Sequence, residues 1–382
     1  MKVQVKGSVL KAARDDRGIS PENAASKLGI KSSSLLTWES HDGDLSITTL
    51  KKAARIYGGN WLRFLLERPL PPLKKKRKHR RTAQGMQISD KEYTSLYKVN
   101  YILSSTDFTD TAYLSPLAGL RRGETNVNEV SKKIKQLFKL EIQTQERLAS
   151  NKDGKRQLYE YLKNVLIEKG FYIFEHDLKG TGIRAYSIKI RGVDAIVINR
   201  SDVPAGKSFS LIHELVHLID GEEVKCDIRE QGKSSYDQSE ARSNRTASLV
   251  LIPSRVFDNF EIGVLSEEEE ILDTANGIAR NLAVSSLAVL TRMLYENFVT
   301  QEMYENLSKK LIKKFYEYKP PKNVRKSWPR TYIRDNSVHF SKNVVGAYEK
   351  GGISFSDVGK ILDIPHHQIE RVVNVITADY GG

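Results

Sequence analysis

Cysteine is almost absent from this chain of 382 residues: Cys226 stands alone. No internal disulfide can form, and a reducing cytoplasm is the expected home. The same scarcity excludes a metal site made of several thiolates, so any metal must be held by histidine and carboxylate. Also missing is a run of about 18 apolar residues, the least a membrane helix needs, and no membrane partner is expected. The opening Met1–Lys6 lacks the apolar core of a secretory signal. Histidine is sparse at 8 residues, and acidic residues are outnumbered, 47 against 61 Lys+Arg, for a net charge of +14. That balance favours contact with a polyanion, for which nucleic acid is the usual choice; a solvated basic surface is the plain alternative. The remaining composition, 39% hydrophobic and 28% charged, is that of ordinary globular protein, and the length suggests two or three domains. No long-period repeat is visible.

What is present divides along the chain. Residues 7–66 carry apolar residues at helical spacing through Val9-Leu10-Ala12-Ala13, Ala24-Ala25-Leu28, Leu35-Leu36-Trp38 and Leu50-Ala53-Ala54. Gly18, Gly29 and Gly43 fall between these segments, and Ser20-Pro21 reads as an N-cap followed by proline at the first helical position. Pro69-Leu70-Pro71-Pro72 closes the unit. The basic run Lys74–Arg81 follows; like charges this dense repel, so residues 69–88 read as a linker able to lie along a phosphate backbone. Helical patterning fills residues 90–170, including Val130–Phe138 and Gln157–Lys169. Then β-rich runs appear, Phe171–Phe174, Ile183–Ile190 and Ala195–Asn199, expected as antiparallel strands. Pro204-Ala205-Gly206 reads as a turn before a helix through Phe209–Leu218. Residues 267–317 return to helices, and Ile353–Leu362 with Pro365–Val373 make a second helix-turn-helix-like pair.

The helix after that turn carries the chemistry. His213-Glu214-Leu215-Val216-His217 is an H-E-x-x-H motif. Residues i and i+4 lie one above the other on a helix face, so both imidazoles can meet one ion. Glu214 sits on the adjoining side, near enough to reach a water on the open position. A catalytic zinc usually takes three protein ligands, and Glu240, in the first turn of a second expected helix, is the leading third. Two antiparallel helices joined by a loop would bring it to the histidines. Glu222, Glu223, Asp227, Glu230 and Asp237 are rivals in the intervening loop. His176, His339, His366 and His367 lack such context and read as surface or loop residues.

The stretch from Gln157 to Pro253 resembles the ImmA/IrrE metallopeptidases. That family pairs a strand ending I-V-I-N with a phenylalanine-led H-E-L-x-H helix, then E-x-x-A-N-x-F-A and L-L-M-P. Here these stand as Ile196–Asn199, Phe209–His217, Glu240–Ala247 and Val250–Pro253. The resemblance implies His213, His217 and Glu240 as Zn2+ ligands and Glu214 as general base. Val216, Ser243 and Thr246 replace the family's Gly, Ala and Phe at positions that look like packing sites. Residues 277–295 look like the helical tail of the same domain. The N-terminal unit resembles the phage-repressor (XRE) helix-turn-helix: Ala25–Gly29 matches its turn and Ser32–Glu39 its recognition helix. Lys31, Ser33, Ser34 and Thr37 would then face the major groove, with a helical docking module as the alternative.

These readings combine into a multidomain protein. The expected order is an all-α helix-turn-helix domain at 1–68, a basic linker at 69–88 and a helical connector at 89–156. An α+β, zincin-like peptidase core follows at 157–265, then its helical extension at 266–318 and a C-terminal helical region at 319–382. The expected function is a zinc-dependent endopeptidase coupled to DNA binding, cleaving a repressor or partner regulator in a phage, mobile-element or stress circuit. Its partners would be that protein and DNA; helix-turn-helix proteins often dimerise, so a second copy is a further candidate. The alternative is a DNA-binding repressor or antitoxin-like regulator with a structural or sensory zinc site.

Overall fold

The computed structural model describes residues 2–58, 61–70, 89–105, 126–190, 192–221, 225–227, 238–258, 267–317, 328–362 and 364–380. By contacts the chain forms two units, one of residues 1–112 with 340–382 and the other of residues 113–339. The basic run Lys74–Arg81 lies outside the described residues. No described helix is long and apolar enough to cross a membrane.

The first unit opens with strand β1 (Lys2–Val5) and helices α1 (Gly7–Asp16), α2 (Pro21–Leu28) and α3 (Ser32–Ser40), then β2 (Gly43–Ser46) and α4 (Ile47–Tyr57). Ser20 caps α2, its hydroxyl accepting from the Asn23 amide with Pro21 in the first turn, and left-handed Gly29 ends it. Val9, Leu10, Ala24, Ala25, Leu28, Leu35, Leu50 and Ala53 are buried, so most of the periodic positions form the core, whereas Ala12 and Trp38 are half-buried and Leu36 is exposed. Beneath them Arg14 donates through Nε and Nη2 to both Glu39 oxygens at 2.7 and 2.8 Å, joining α1 to α3. Against the expectation of an all-α domain, β1 pairs with β2 antiparallel, Val3 opposite Leu45. Four-residue strands paired across the whole motif leave no local periodicity to read.

Helix α5 (Asp90–Ser105) is buried at Tyr93, Leu96, Tyr97, Val99, Tyr101, Ile102 and Leu103, more than one face. Arg17 lies over the Tyr93 ring and Arg63 over Tyr97, 4.3 and 3.9 Å from the centroids. Late in the chain, α16 (Phe355–Leu362) also packs on α5. A helix with partners on several sides buries apolar residues all round.

The second unit begins with α6 (Val127–Phe138), α7 (Ile142–Ala149) and α8 (Gly154–Glu168), followed by β3 (Tyr172–His176), β4 (Ile183–Ile190) and β5 (Val193–Asn199). Helix α9 (Pro204–Asp220), β6 (Lys225–Asp227) and α10 (Gln238–Leu251) come next, then α11 (Glu268–Asn281), α12 (Ser286–Tyr295), α13 (Gln301–Glu317) and α14 (Trp328–Asp335). Sheet order is β3-β5-β4-β6. The sheet is mixed rather than wholly antiparallel: β4 returns beside β5 as a hairpin, while β5 runs parallel to β3, Ile173 opposite Ile196. Alternating sequence cannot distinguish these arrangements, because β3 is buried at all five positions. Asn199 locks the sheet's end: its Nδ2 donates to the Ile183 carbonyl and its Oδ1 accepts from the Leu178 and Ser201 amides. His176 ends β3 buried rather than on a surface.

Glu175 organises the polar side of this core. It accepts from Lys163 Nζ of α8 at 3.1 Å and Lys207 Nζ of α9 at 3.0 Å, with Arg334 Nε of α14 at 3.9 Å. Burial alone would raise its pKa, but these cations outweigh that and lower it from 4.5 to about 2. A depressed pKa stabilises the fold above about 4.5, and that contribution is lost as pH falls towards about 2. Glu175→Gln removes the carboxylate facing buried Lys207, while Lys163 keeps Glu160 at 2.6 Å, and is expected to cost about 3 kcal/mol at neutral pH. It should also flatten the loss of stability across that acid window, as read by urea unfolding at several pH values.

Candidate metal centre

Helix α9 starts five residues earlier than its apolar pattern, because Pro204 occupies the first helical turn instead of a turn outside it. Gly206 in that turn allows close packing: a Cβ there would stand 2.7 Å from Asp202 Oδ1. Asp202 is itself buried, accepts from the Val203 amide at 2.8 Å and faces Arg184 Nε at 3.4 Å. Burial raises its pKa, and the arginine only partly opposes this. Beyond Asp202 the helix enters the core, with Leu211, Ile212, Leu215 and Val216 fully covered.

His213, Glu214 and His217 are buried with them. The two imidazole Nε2 atoms approach to 2.9 Å. Glu240, in the first turn of α10, places its Oε2 3.3 Å from His213 Nε2 and its Oε1 3.3 Å from His217 Nε2. The three residues each offer a ligand atom within 4.8 Å of the others, the one such group found among the described residues. Burial would raise the Glu240 pKa, but hydrogen bonds and charge from both histidines outweigh it and hold the group far below its ordinary value. Its place at a helix start also favours the anion. Two ring nitrogens and a carboxylate converging this closely are arranged to share a cation, and two histidines with one glutamate are a donor set used by catalytic zinc. The residues therefore fit a divalent metal.

Further contacts, none anticipated from the sequence, hold α10 in place. Arg242 Nε donates to Asp220 Oδ2 at 2.9 Å, tying the first turn of α10 to the last turn of α9. Ser239 Oγ stands 3.5 Å from His217 Nδ1, where it can orient the ring. At the far end of α10, buried Gln145 donates to the Leu251 carbonyl at 2.9 Å, and fully buried Arg292 to the Ile252 carbonyl and Ser254 Oγ. An Arg–Asp pair at i and i+22 across a loop has no local pattern to reveal it. Val216, Ser243 and Thr246 are all fully buried, as packing positions should be. Of the rival carboxylates, Asp227 falls in β6, and Glu222, Glu223, Glu230 and Asp237 lie outside the described residues.

Residues 168–294 match the family model of the IrrE N-terminal-like domain. This is a peptidase family, and the match runs from the end of α8 to α12, about a third of the chain, enclosing the cluster. Residues 10–62 match a helix-turn-helix family model. Comparison with curated proteins and with solved structures returns no match. The architecture thus fits a DNA-binding regulator fused to an IrrE-like domain, and that domain suggests a metallopeptidase.

In the helix-turn-helix, Lys31, Ser33 and Thr37 are exposed and Ser34 is half-buried. Leu36, read from the sequence as one of the periodic apolar positions, is instead 45% exposed on this face, which it shares with Ser40. Thr37 Oγ1 donates to the Ser33 carbonyl and Ser40 Oγ to that of Leu36.

If Arg242 positions Glu240, Arg242→Ala should weaken metal affinity about 10–100-fold while leaving the fold intact. Competition with a chromophoric chelator measures this; wild-type affinity in the variant would assign the Arg242–Asp220 pair to packing alone.

Proposed function

We propose that the protein is a zinc-dependent endopeptidase brought to DNA by its N-terminal domain. One observation carries the reading: His213, His217 and Glu240 converge, with Glu214 adjoining, inside the segment similar to the IrrE-like peptidase family. His213, His217 and Glu240 would hold the ion. A zinc ion held there would supply Lewis-acid polarisation of a scissile carbonyl and a bound water of pKa about 7. Glu214 is the general base: its buried carboxylate takes the proton of the attacking water and delivers it to the leaving amine. The helix core around Leu215 and Val216 keeps that carboxylate out of bulk solvent.

The substrate is a repressor or partner regulator of the same circuit, and Lys31 at the start of α3 meets DNA together with Ser33, Ser34 and Thr37 within it. An enzyme held near regulatory DNA meets such a substrate at raised local concentration. The chain's net charge of +14 supports the DNA arm. Binding should weaken steeply between two salt concentrations, as phosphate contacts demand.

Glu214→Gln should keep its zinc, by metal analysis, and lose cleavage of a co-encoded regulator by about 100-fold or more. Glu240→Ala should lose the metal itself. Undiminished cleavage by Glu214→Gln would remove Glu214 from the chemistry. A wild type that holds zinc and DNA yet cuts no such regulator would favour a sensory or structural role for the ion.

A further inference from the structure

The C-terminal helices repeat the N-terminal motif. From Ser20 to Ser40 and from Ser354 to Asn374 the chain aligns without a gap. Ala24 falls on Val358, Leu28 on Leu362 and Leu35 on Ile369, all buried. Ser20 and Ser354 are both helix caps: each hydroxyl accepts from the amide three residues on, Asn23 at 3.3 Å and Asp357 at 3.2 Å. The turn hydrogen bond also repeats, from the Ile30 amide to the Ala25 carbonyl and from the Ile364 amide to the Gly359 carbonyl, each 3.0 Å. A small residue occupies the helix crossing in both. At Gly359 a Cβ would stand 2.6 Å from Ile369 Cδ1, so the missing side chain leaves room for that isoleucine. The leading helix corresponds as well. Helix α1 ends at left-handed Gly18 before the Ser20 cap, and α15 (Val338–Glu349) ends at left-handed Gly351 before Ser354.

The second helix of the repeat is a 3-10 turn, His366–Gln368, running into α17 (Ile369–Tyr380). Where α3 exposes Ser33, Leu36, Thr37 and Ser40, the aligned positions His367, Glu370, Arg371 and Asn374 are exposed too. Their chemistry is more informative. Arginine pairs with guanine O6 and N7, asparagine with adenine N6 and N7, and glutamate accepts from cytosine N4. No exposed large hydrophobic residue lies on α15–α17 among the described residues, so the face lacks the apolar anchor that a protein-docking surface usually centres on.

We propose that α15–α17 form a second helix-turn-helix that reads DNA bases through Arg371 and Asn374, so that one chain contacts two DNA segments. The proposal rests on the DNA-binding reading of the first motif. Charges on the repeat nearly balance, with Lys342, Lys350, Lys360 and Arg371 beside Glu349, Asp357, Asp363, Glu370 and Asp379. Phosphate affinity therefore comes from elsewhere in this +14 chain, and the repeat contributes base selection once tethered near DNA.

The test uses the full-length protein and duplexes selected by it from random-sequence DNA. Footprinting should show two protected segments. Arg371→Ala with Asn374→Ala should abolish protection and base preference in one of them and weaken binding about 10–100-fold. Thermal unfolding should be unaltered, since both side chains are exposed. Arg371→Lys, which keeps the charge, should retain binding but lose discrimination at a guanine. A wild-type footprint in the double variant overturns the proposal. So does a single protected segment that depends only on α3. A double variant with an intact footprint but lost association with a protein partner would make the face a docking surface instead. Failure to select any DNA would overturn the reading of the first motif and this one with it.

Discussion

A helix covered on nearly every side must find a partner for each polar group it carries, and α9 carries several. Lys207 meets Glu175 from β3, Asp220 meets Arg242 from α10, and His213 and His217 meet Glu240. These partners come from different elements, so satisfying one buried helix fixes the sheet below it and the helix beside it. The cost of an uncompensated buried charge is several kcal/mol, comparable with much of a domain's net stability. The candidate metal centre is thus embedded in the fold's own polar accounting. The three groups that could hold a metal ion are positioned by the same contacts that close the core.

The N-terminal unit solves the same problem with one bidentate pair. Arg14 and Glu39 are buried against each other and set α1 against α3, so the exposed face of α3 is presented by a rigid frame. The repeat at α15–α17 has no such pair, since Val373 stands where Glu39 does. Its helices approach through Gly359 and Ile369 instead. Two copies of one backbone motif are thus held by different physical means, which explains why their sequence likeness is confined to caps, turn and core.

Much of this was legible in the chain. The H-E-x-x-H spacing placed two imidazoles on one face, and Glu240 emerged as the leading third group from its position in a helical first turn. Strands β4 and β5 and the helices of the first unit followed from periodicity and from Ser20, Pro21 and Gly29. Less legible were β1 and β2, the parallel pairing of β3 with β5, the early start of α9 and the partners Glu175, Arg242, Gln145 and Arg292. Apart from the start of α9, where a local proline read as a turn proved to open the helix, each of these joins residues far apart in the chain, and a local pattern carries no trace of a distant partner.

Sequence by itself determined the residue types at helical spacing, the absence of thiolate ligands, the basic balance and the order of the two modules. These depend on composition and on periods of 3.6 and 2, which are properties of a single segment. Tertiary structure alone decided that Glu240 Oε1 and Oε2 stand 3.3 Å from the two imidazoles and that Glu175 gathers three helices. It also decided that Ile364 bonds back to Gly359 just as Ile30 does to Ala25. Convergence is a matter of packing, where distances between segments are set by which buried charges and surfaces must be satisfied together.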